Sequence, residues 1–397
     1  MIAQRVTLIA LTLAASGCHI LGLSADACDP DDSKTCPTGQ SCSSDGVCIL
    51  GDANAPVIVA DNESGVTLLL ADKNGDLWWA TGSSPGCVRH LSGTPKDVAC
   101  ESTLPISALA LYGDEVVWTT DGPGASDSVN VKKQDGSGQA TAAASGLDLA
   151  PLSRGNNNVA GFQYPDGTES IVVAAEASDP FGTVMTRILR TAAGLTDLSG
   201  DYNGPAPDTL ADPTGAIMMP DESAVFIGGE VDDGHSALCV RDLRTPDEDG
   251  GGSLDVISGP RNVWPTGRIR AAIPIDDAAA KVLVATVSDD DSGQLFVVPT
   301  DTLFTPTALA VAVDPDNPRV HAAALASDGF FGYYGTAGTV APGKKRGLFR
   351  IDLFTAGAKP ERLADLDNEP GGIAVVGRHL FYAEPKKNRI SQITLPR

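Results

Sequence analysis

The chain has 397 residues, of which 28 are basic and 51 are acidic, and its formal net charge is −23 at pH 7. A surface of this sign repels nucleic acid and anionic lipid headgroups, which argues against a nucleic-acid partner and against membrane attachment through a basic patch. The chain contains 43 Gly and 27 Pro and almost no stretch with helical periodicity. From about Ala55 onwards the sequence therefore predicts an all-β fold of short strands separated by turns.

The N-terminus has the pattern of an export signal. Arg5 precedes an apolar run from Val6 to Ala15, which is too short for a membrane-spanning helix of roughly 20 residues. A basic start, a short apolar run and small residues at its end are typical of a signal peptide. We therefore predict that residues 1–17 are removed and that the chain is exported.

The sequence ASGC at residues 15–18 resembles the lipobox of bacterial lipoproteins. The resemblance implies that Cys18 is alkylated by diacylglycerol and becomes the first mature residue, so that the protein reaches the membrane through an N-terminal lipid. His19 stands where an Asp favours retention in the inner membrane, which favours the outer membrane of the bacterial cell envelope. The alternative is an ordinary signal peptide in which Cys18 has no special role.

Residues 18–54 form a predicted Cys-rich stalk. Four cysteines occur in the run CDPDDSKTCPTGQSCSSDGVC, which is too polar to bury a core of its own and resembles the short Cys-rich segments that follow the lipobox in some envelope lipoproteins. Disulfides replace such a core in an oxidising compartment. Of the three pairings that four cysteines allow, we favour Cys28–Cys42 with Cys36–Cys48. Zinc is the alternative, but the spacing lacks the Cys-x2-Cys pair typical of zinc sites.

Two further segments contain cysteine. Cys87 and Cys100 enclose twelve residues, and we predict a disulfide between them. On the chain-entropy model, closing a loop of this length stabilises the fold by about 3 kcal/mol. Cys239 lies in the alternating segment SALCVRDL and is predicted to be a buried free thiol.

A short apolar strand that ends in small or hydroxylated residues recurs seven times, at intervals of 39 to 57 residues. The copies are LWWAT from Leu77, VVWTT from Val116, IVVAA from Ile171, VFIGG from Val225, VLVAT from Val282, FGYYG from Phe331 and LFYAE from Leu380. Each copy follows a strand of small residues and precedes an alternating strand and a more variable fourth strand. Four strands per repeat, arranged radially, predict a seven-bladed β-propeller over residues 55–397.

The order of strands within a repeat has a physical basis. Innermost strands crowd around an axis, which suits small residues such as Gly371 and Gly372. The strand APVIVAD at 55–61 precedes the first repeat, whereas the last repeat ends after its third strand. We therefore predict that residues 55–61 form the outer strand of the last blade, which closes the ring and covers an edge. A pair of β-sandwiches is the alternative architecture.

Two repeats resemble those of the YWTD and NHL propeller classes: LFYAEPKKNRISQITL at 380–395 and VVWTTDGPGASDSVNVKKQDG at 116–136. They share an aromatic strand, a turn, and a strand in which Ile or Val precedes a basic residue. The resemblance implies a propeller over most of residues 55–397. The middle repeats lack the aromatic-Thr-Asp signature.

No HExxH, Gly-x-Ser-x-Gly or phosphate-binding motif is present, and the acidic run Asp72–Asp76 departs from an EF-hand and is predicted to be a turn. The leading hypothesis is a lipid-anchored, non-catalytic module that binds an unidentified protein or small molecule and needs no cofactor. The alternative is a calcium-dependent hydrolase or lactonase. Its calcium ligands would come from residues that precede innermost strands: Asn157, Asn262, Asn317 and Glu369. A structural subunit of an envelope assembly is a third hypothesis.

Overall fold

A computed structural model describes residues 56–147 and 319–395, apart from 73, 83, 102, 124–125, 339–341, 343–344 and 356, and only individual strands elsewhere. The chain divides into a small unit, Met1–Ala53 with Arg397, and a large unit, Asn54–Pro396. In the small unit, β1 (Gln40–Cys42) and β2 (Cys48–Leu50) pair antiparallel. Among the described residues, no helix is long and apolar enough to cross a membrane.

Several sequence predictions fall outside this description. The predicted signal peptide, the lipidation site Cys18, and Cys28 and Cys36 lie outside the described residues. Only the backbone of Cys42 and Cys48 is described, and the two residues lie opposite each other in the pairing of β1 with β2. The lipid anchor and the disulfides of the stalk therefore stay predictions.

The described strands of the large unit pair antiparallel within successive sheets. In chain order they are β3 (Val57–Asp61), β4 (Val66–Ala71), β5 (Leu77–Thr81), β6 (Cys87–Ser92), β7 (Thr94–Cys100), β8 (Ile106–Tyr112), β9 (Glu115–Thr120), β10 (Asp127–Lys133), β11 (Thr141–Leu147), β12 (Val159–Gln163), β13 (Glu169–Glu176), β14 (Thr183–Thr191), β15 (Gly194–Asp197), β16 (Pro213–Met218), β17 (Ser223–Val231), β18 (His235–Asp242), β19 (Arg268–Ile275), β20 (Lys281–Val287), β21 (Gly293–Pro299), β22 (Thr307–Ala310), β23 (Arg319–Ser327), β24 (Phe331–Ala337), β25 (Arg346–Asp352), β26 (Glu361–Leu366), β27 (Ile373–Val376), β28 (His379–Glu384) and β29 (Arg389–Thr394).

The fold is a β-propeller, but the predicted count of seven four-stranded blades is wrong. Five blades are supported both by strand pairing and by packed side chains: β4–β7, β8–β11, β19–β22, β23–β26, and β27–β29 with β3. The sheet β12–β15 is described almost entirely by its backbone, and the sheet β16–β18 has three strands in the part of the chain that the structure describes. The recurring second strand marks where a sheet forms, but it does not show whether a fourth strand follows.

The last blade contains both ends of the large unit. β3 pairs antiparallel with β29, with Asp61 opposite Arg389 and Val57 opposite Gln392. Ala60 of β3 is buried with side chains of the first and last blades. The strand predicted from residues 55–61 thus lies at the outer edge of β27–β29, where it covers the backbone groups of β29.

The core lies between blades. All five residues of β5 are buried. Trp79 packs with Phe381 of the last blade, whereas Trp78 packs with Trp118 of the following blade. Because successive side chains point to opposite faces of a strand, β5 is covered by a neighbouring blade on each side.

The two ends of the blades differ in their connections. At the hairpin face, the first strand of a blade turns into the second and the third into the fourth. At the crossover face, the second strand joins the third and the chain passes to the next blade. In neighbouring blades, the starts of the first strands lie next to each other at the crossover face, and their ends lie next to each other at the hairpin face. A Cβ atom on Gly371, before β27, would lie 2.3 Å from the carbonyl oxygen of Val66 at the start of β4, and one on Gly75, after β4, would lie 3.0 Å from Val376 at the end of β27.

Candidate functional site

Glu369 is the one predicted channel residue that the described part of the chain includes. It lies at the crossover face, in the connection between β26 and β27. Its Oε1 accepts a hydrogen bond from the backbone N–H of Gly338 at 3.0 Å and lies 3.7 Å from the guanidinium of Arg346. Asn157, Asn262 and Asn317 lie outside the described residues, so the convergence of four oxygen ligands stays a prediction.

The sequence analysis missed two residues near Glu369: His321, on which the Glu369 carboxylate acts, and Arg270, which acts on His321. His321 is on β23 and Arg270 is on β19, and both are first strands of their blades. Burial lowers the pKa of His321, the Glu369 carboxylate opposes this shift, and Arg270 lowers the pKa further. The imidazole is therefore neutral near pH 7. Each residue directly precedes an Ala-Ala pair of an inner strand, and this shared position is the sequence signal that identifies them.

A chain of ion pairs, here called the crossover network, joins the last two blades. Asp367 accepts from Lys345 at 3.1 Å and from Lys387 at 3.3 Å. Lys387 also lies 2.8 Å from Oε1 of Glu384, whose Oε2 accepts from Nε of Arg389 at 2.6 Å. The hydrogen bonds from Lys345 and Lys387 lower the pKa of Asp367. Because each charged group holds its neighbour, the network presents a preorganised polar surface.

Glu384 is the most buried member of the crossover network. Burial acts to raise the pKa of its carboxyl group, but hydrogen bonds from Arg389, Lys387 and Ser391 together outweigh that effect and lower it. In turn, Glu384 raises the pKa values of Lys387 and Arg389. All three groups are therefore charged at neutral pH.

A second carboxylate, Glu63, is buried between the last and first blades, with 2% of its surface exposed. It precedes β4 and forms an ion pair with Arg89, and it accepts a hydrogen bond from Nε1 of Trp79 at 3.0 Å. Its backbone N–H donates to the carbonyl oxygen of Asn388 at 2.6 Å. Arg89 also lies 2.8 Å from the exposed carboxylate of Asp97. This cluster extends the charged surface of the crossover face onto the first blade.

Asp72, Asp76 and His90 bring three possible metal ligands within 4.8 Å of one another. Oδ1 of Asp72 accepts the backbone N–H groups of Asn74 and Asp76, as expected for the predicted turn between β4 and β5. His90 lies 3.3 Å from Asp76 and stacks on the ring of Trp78 at 4.1 Å. The hydrogen bonds and ring stacking account for the positions of these side chains as parts of a hairpin.

Cys87 and Cys100 are joined by a disulfide across β6 and β7, where they are direct strand partners. The predicted bond is confirmed. Asp97 lies near the two sulfur atoms, but sulfur atoms that share a disulfide do not supply thiolate ligands to a metal. Cys239 lies on β18, whose side chains are outside the description.

No protein-family model matches the sequence, and a comparison with curated proteins gave no match. Solved structures are similar in fold. Virginiamycin B lyase from Staphylococcus aureus, as an inactive variant with quinupristin, is 14% identical with a TM-score of 0.55, over 86% of this chain and 98% of the lyase. The β-propeller domain of Swd1 from Myceliophteria thermophila is 13% identical with a TM-score of 0.55, over 85% of this chain and 100% of that domain.

A third similar structure is a cell-surface protein. PorZ, a surface component of the type-IX secretion system of Porphyromonas gingivalis, is 15% identical with a TM-score of 0.50, over 87% of this chain and 48% of PorZ. Identities this low show a shared fold and do not carry over chemistry. The similar structures include a lyase and a component of a secretion system, so the function must be argued from the residues of this chain.

Proposed function

We propose that this protein is a lipid-anchored binding module of the bacterial cell envelope, at the outer membrane, whose propeller binds a protein or small molecule at its crossover face without catalysing a reaction. The observation that carries the proposal is the crossover network. Its five charged side chains hold one another in place across two blades. A partner that carries both hydrogen-bond donors and acceptors binds such a surface with little loss of side-chain entropy, because the charged side chains are already ordered.

A ligand screen tests the binding role. The full-length protein is heated with sugars, peptides and calcium, and a ligand present at 100 times its Kd stabilises the fold by about 2.7 kcal/mol. We expect Asp367→Asn to remove that stabilisation. Asp114→Asn is the matched control, because Asp114 forms an exposed ion pair with Lys133 at the hairpin face of another blade. A ligand that stabilises both variants equally would place binding elsewhere.

The anchor is tested separately. Cys18→Ala should abolish palmitate labelling and release the protein from the membrane fraction, because the thiol that receives the lipid is gone. Cys239→Ala is the control and should keep both. Palmitate that persists on the Cys18→Ala chain would show that lipid attaches at another residue.

The second candidate function is the calcium-dependent hydrolase, which one observation favours. Glu369 does lie at the crossover face, and its charge acts on His321. However, Oε1 of Glu369 already accepts from Gly338 and faces Arg346, so calcium would have to displace both. Calcium that raises the melting temperature of the wild type but not of Glu369→Gln would support this function over the first.

A further inference from the structure

Four large hydrophobic side chains are exposed among the described residues, and all four lie towards the hairpin face of two adjacent blades. Phe330 and Phe354 belong to blade β23–β26 and expose 70% and 57% of their surface. Val57 and Ile58 begin β3 in the last blade and expose 44% and 49%. Single exposed hydrophobic side chains are normal, but exposed aromatic side chains that contact each other, as Phe330 and Phe354 do, are typical of a surface that contacts a partner or a membrane.

The turn that carries Phe330 is ordered by an aspartate. Oδ1 of Asp328 accepts the backbone N–H groups of Phe330 at 2.9 Å and Phe331 at 2.7 Å, and Oδ2 accepts from the hydroxyl of Tyr333 at 2.7 Å. The neighbouring Phe331 packs against the guanidinium of Arg350, 4.8 Å from its ring. The local backbone therefore turns one of two consecutive phenylalanines inward and the other outward.

The turn that carries Phe354 repeats this construction. Oδ1 of Asp352 accepts the N–H groups of Phe354 at 2.8 Å and Thr355 at 3.0 Å. The rings of Phe330 and Phe354 meet edge to face at 6.5 Å, and the N–H of Leu353 donates to the carbonyl oxygen of Phe330 at 3.1 Å. Two turns are thus linked to hold an aromatic pair outward.

Positive charge lies beside this aromatic pair. The ammonium of Lys281, from the preceding blade, is 5.5 Å from the Phe354 ring, and Lys359 is exposed after the same turn. Phenylalanines that project beside lysines match the boundary between acyl chains and phosphate groups of a bilayer.

The chain also enters the propeller at this face. β3 begins at Val57 towards the hairpin face and runs to the crossover face. β3 therefore starts on the same side of the large unit as the exposed hydrophobic residues, and the segment that carries the predicted lipid site, Cys18, precedes β3 in the chain. We propose that the hairpin face of blades β23–β26 and β27–β29 rests on a phospholipid bilayer, with Phe330 and Phe354 inserted at the level of the upper acyl chains. The proposal rests on the proposed lipid anchor.

Depth-dependent quenching tests this orientation. Phe330→Trp and Phe354→Trp are made in the full-length, lipid-bearing protein and reconstituted into phosphatidylcholine–phosphatidylglycerol vesicles whose acyl chains are brominated. The bromines should reduce the emission of each new indole by at least about twofold relative to plain lipid, because an interfacial side chain lies roughly 5–10 Å into the boundary. Trp78, Trp79 and Trp118 are buried in the protein. The fourth tryptophan, Trp264, lies outside the described residues, so the wild-type protein in the same brominated and plain vesicles measures the combined background of all four.

Lys386→Trp is the matched control, because Lys386 is exposed in the loop between β28 and β29 at the crossover face. Its emission should not change with bromine. Equal emission in brominated and plain lipid at positions 330 and 354 would overturn the proposal, and a contact with another protein would give that result. Flotation with vesicles and palmitate on Cys18 report the anchor independently. A chain that floats without quenching refutes the orientation alone, and quenching without palmitate refutes the anchor alone.

Discussion

The crossover and hairpin faces of the last two blades are built from the same strands, yet they use charged side chains in opposite ways. At the crossover face, carboxylates such as Asp367 and Glu384 pair with lysine and arginine side chains of neighbouring loops. At the hairpin face, Asp328 and Asp352 bind backbone N–H groups of their own turns. The first arrangement joins blades into a polar surface, and the second shapes single turns that expose phenylalanine. The difference suggests a binding side and a membrane side.

The largest expected effect comes from removing the strand that runs between the two faces. Deleting residues 56–61 removes β3, four direct partners of β29 and the buried Ala60. At about 1 kcal/mol for each lost hydrogen bond, the free energy of unfolding should fall by about 4 kcal/mol or more. The exposed edge of β29 should also promote aggregation. Urea unfolding and light scattering measure both effects, and an equally stable, monodisperse remainder would contradict the closure.

Next in size is the buried carboxylate of the crossover face. Glu63→Gln removes the negative charge that faces Arg89, and breaking a buried ion pair costs about 3 to 5 kcal/mol. The control is Asp97→Asn, since Asp97 pairs with the same arginine but exposes 59% of its side chain. That change should cost less than about 1 kcal/mol. Equal losses in urea unfolding would show that burial does not decide the contribution of the pair.

The disulfide is expected to matter slightly less. Cys87→Ser combined with Cys100→Ser opens a loop with a sequence separation of 13 and should lower the free energy of unfolding by about 3 kcal/mol. Because the bond lies at the crossover-face ends of β6 and β7, the loss should be greatest for backbone amides at those ends. Hydrogen exchange measures this distribution. Uniform loss of protection along both strands would show that the bond does not act locally.

A smaller effect should follow from acidification, which acts on the carboxylates of both faces. The pKa values of Asp367, Glu384 and Asp352 are all lowered in the folded state. A lowered folded-state pKa means that the stabilisation is present above the unfolded pKa near 4 and is lost as the pH falls through the folded value. Melting temperature should therefore drop steeply below about pH 4.

Salt sharpens this measurement. In 1 M NaCl the Debye length is about 3 Å, so the contribution of Asp367, which depends on lysine ammonium groups, should shrink. The contribution of Asp352 depends first on the backbone N–H of Phe354 and then on the Thr355 hydroxyl, and it should change less. Melting curves of Asp367→Asn and Asp352→Asn at low and high salt make the comparison. If both variants respond equally to salt, the distinction between the faces is wrong.

The smallest expected effect concerns the exposed phenylalanine. Phe330→Ser should change the free energy of unfolding in solution by less than about 0.5 kcal/mol, because 70% of the side chain is already in water. Tyr333→Phe, which removes the hydroxyl bonded to Asp328, should cost about 1 kcal/mol. A large loss in Phe330→Ser would mean that the ring supports the fold and is not held out for contact.

The sequence predicted the propeller, the pairing of Cys87 with Cys100 and the position of the closing strand, because strand alternation, cysteine spacing and an unmatched terminal strand are local features. The prediction of seven four-stranded blades was wrong, because the recurring second strand does not indicate whether a fourth, outer strand follows in the same blade. Residues that interact across blades, such as His321 with Arg270 and Glu369, are far apart in sequence, and only Arg270 and His321 share a local signal, the Ala-Ala pair that follows each. Phe330 and Phe331 are identical in type, and only the turn geometry makes one exposed.

The pairing of β3 with β29 also affects when the propeller can close during synthesis and folding. β3 is synthesised long before β29, so their ladder is a contact of very high sequence separation, which forms slowly. A chain that is still being synthesised or exported holds β3 with its edge unoccupied until residues 389–394 arrive. We expect a chain truncated before β29 to lack this ladder and to be cleaved by proteases more readily than a chain that includes residues 389–394.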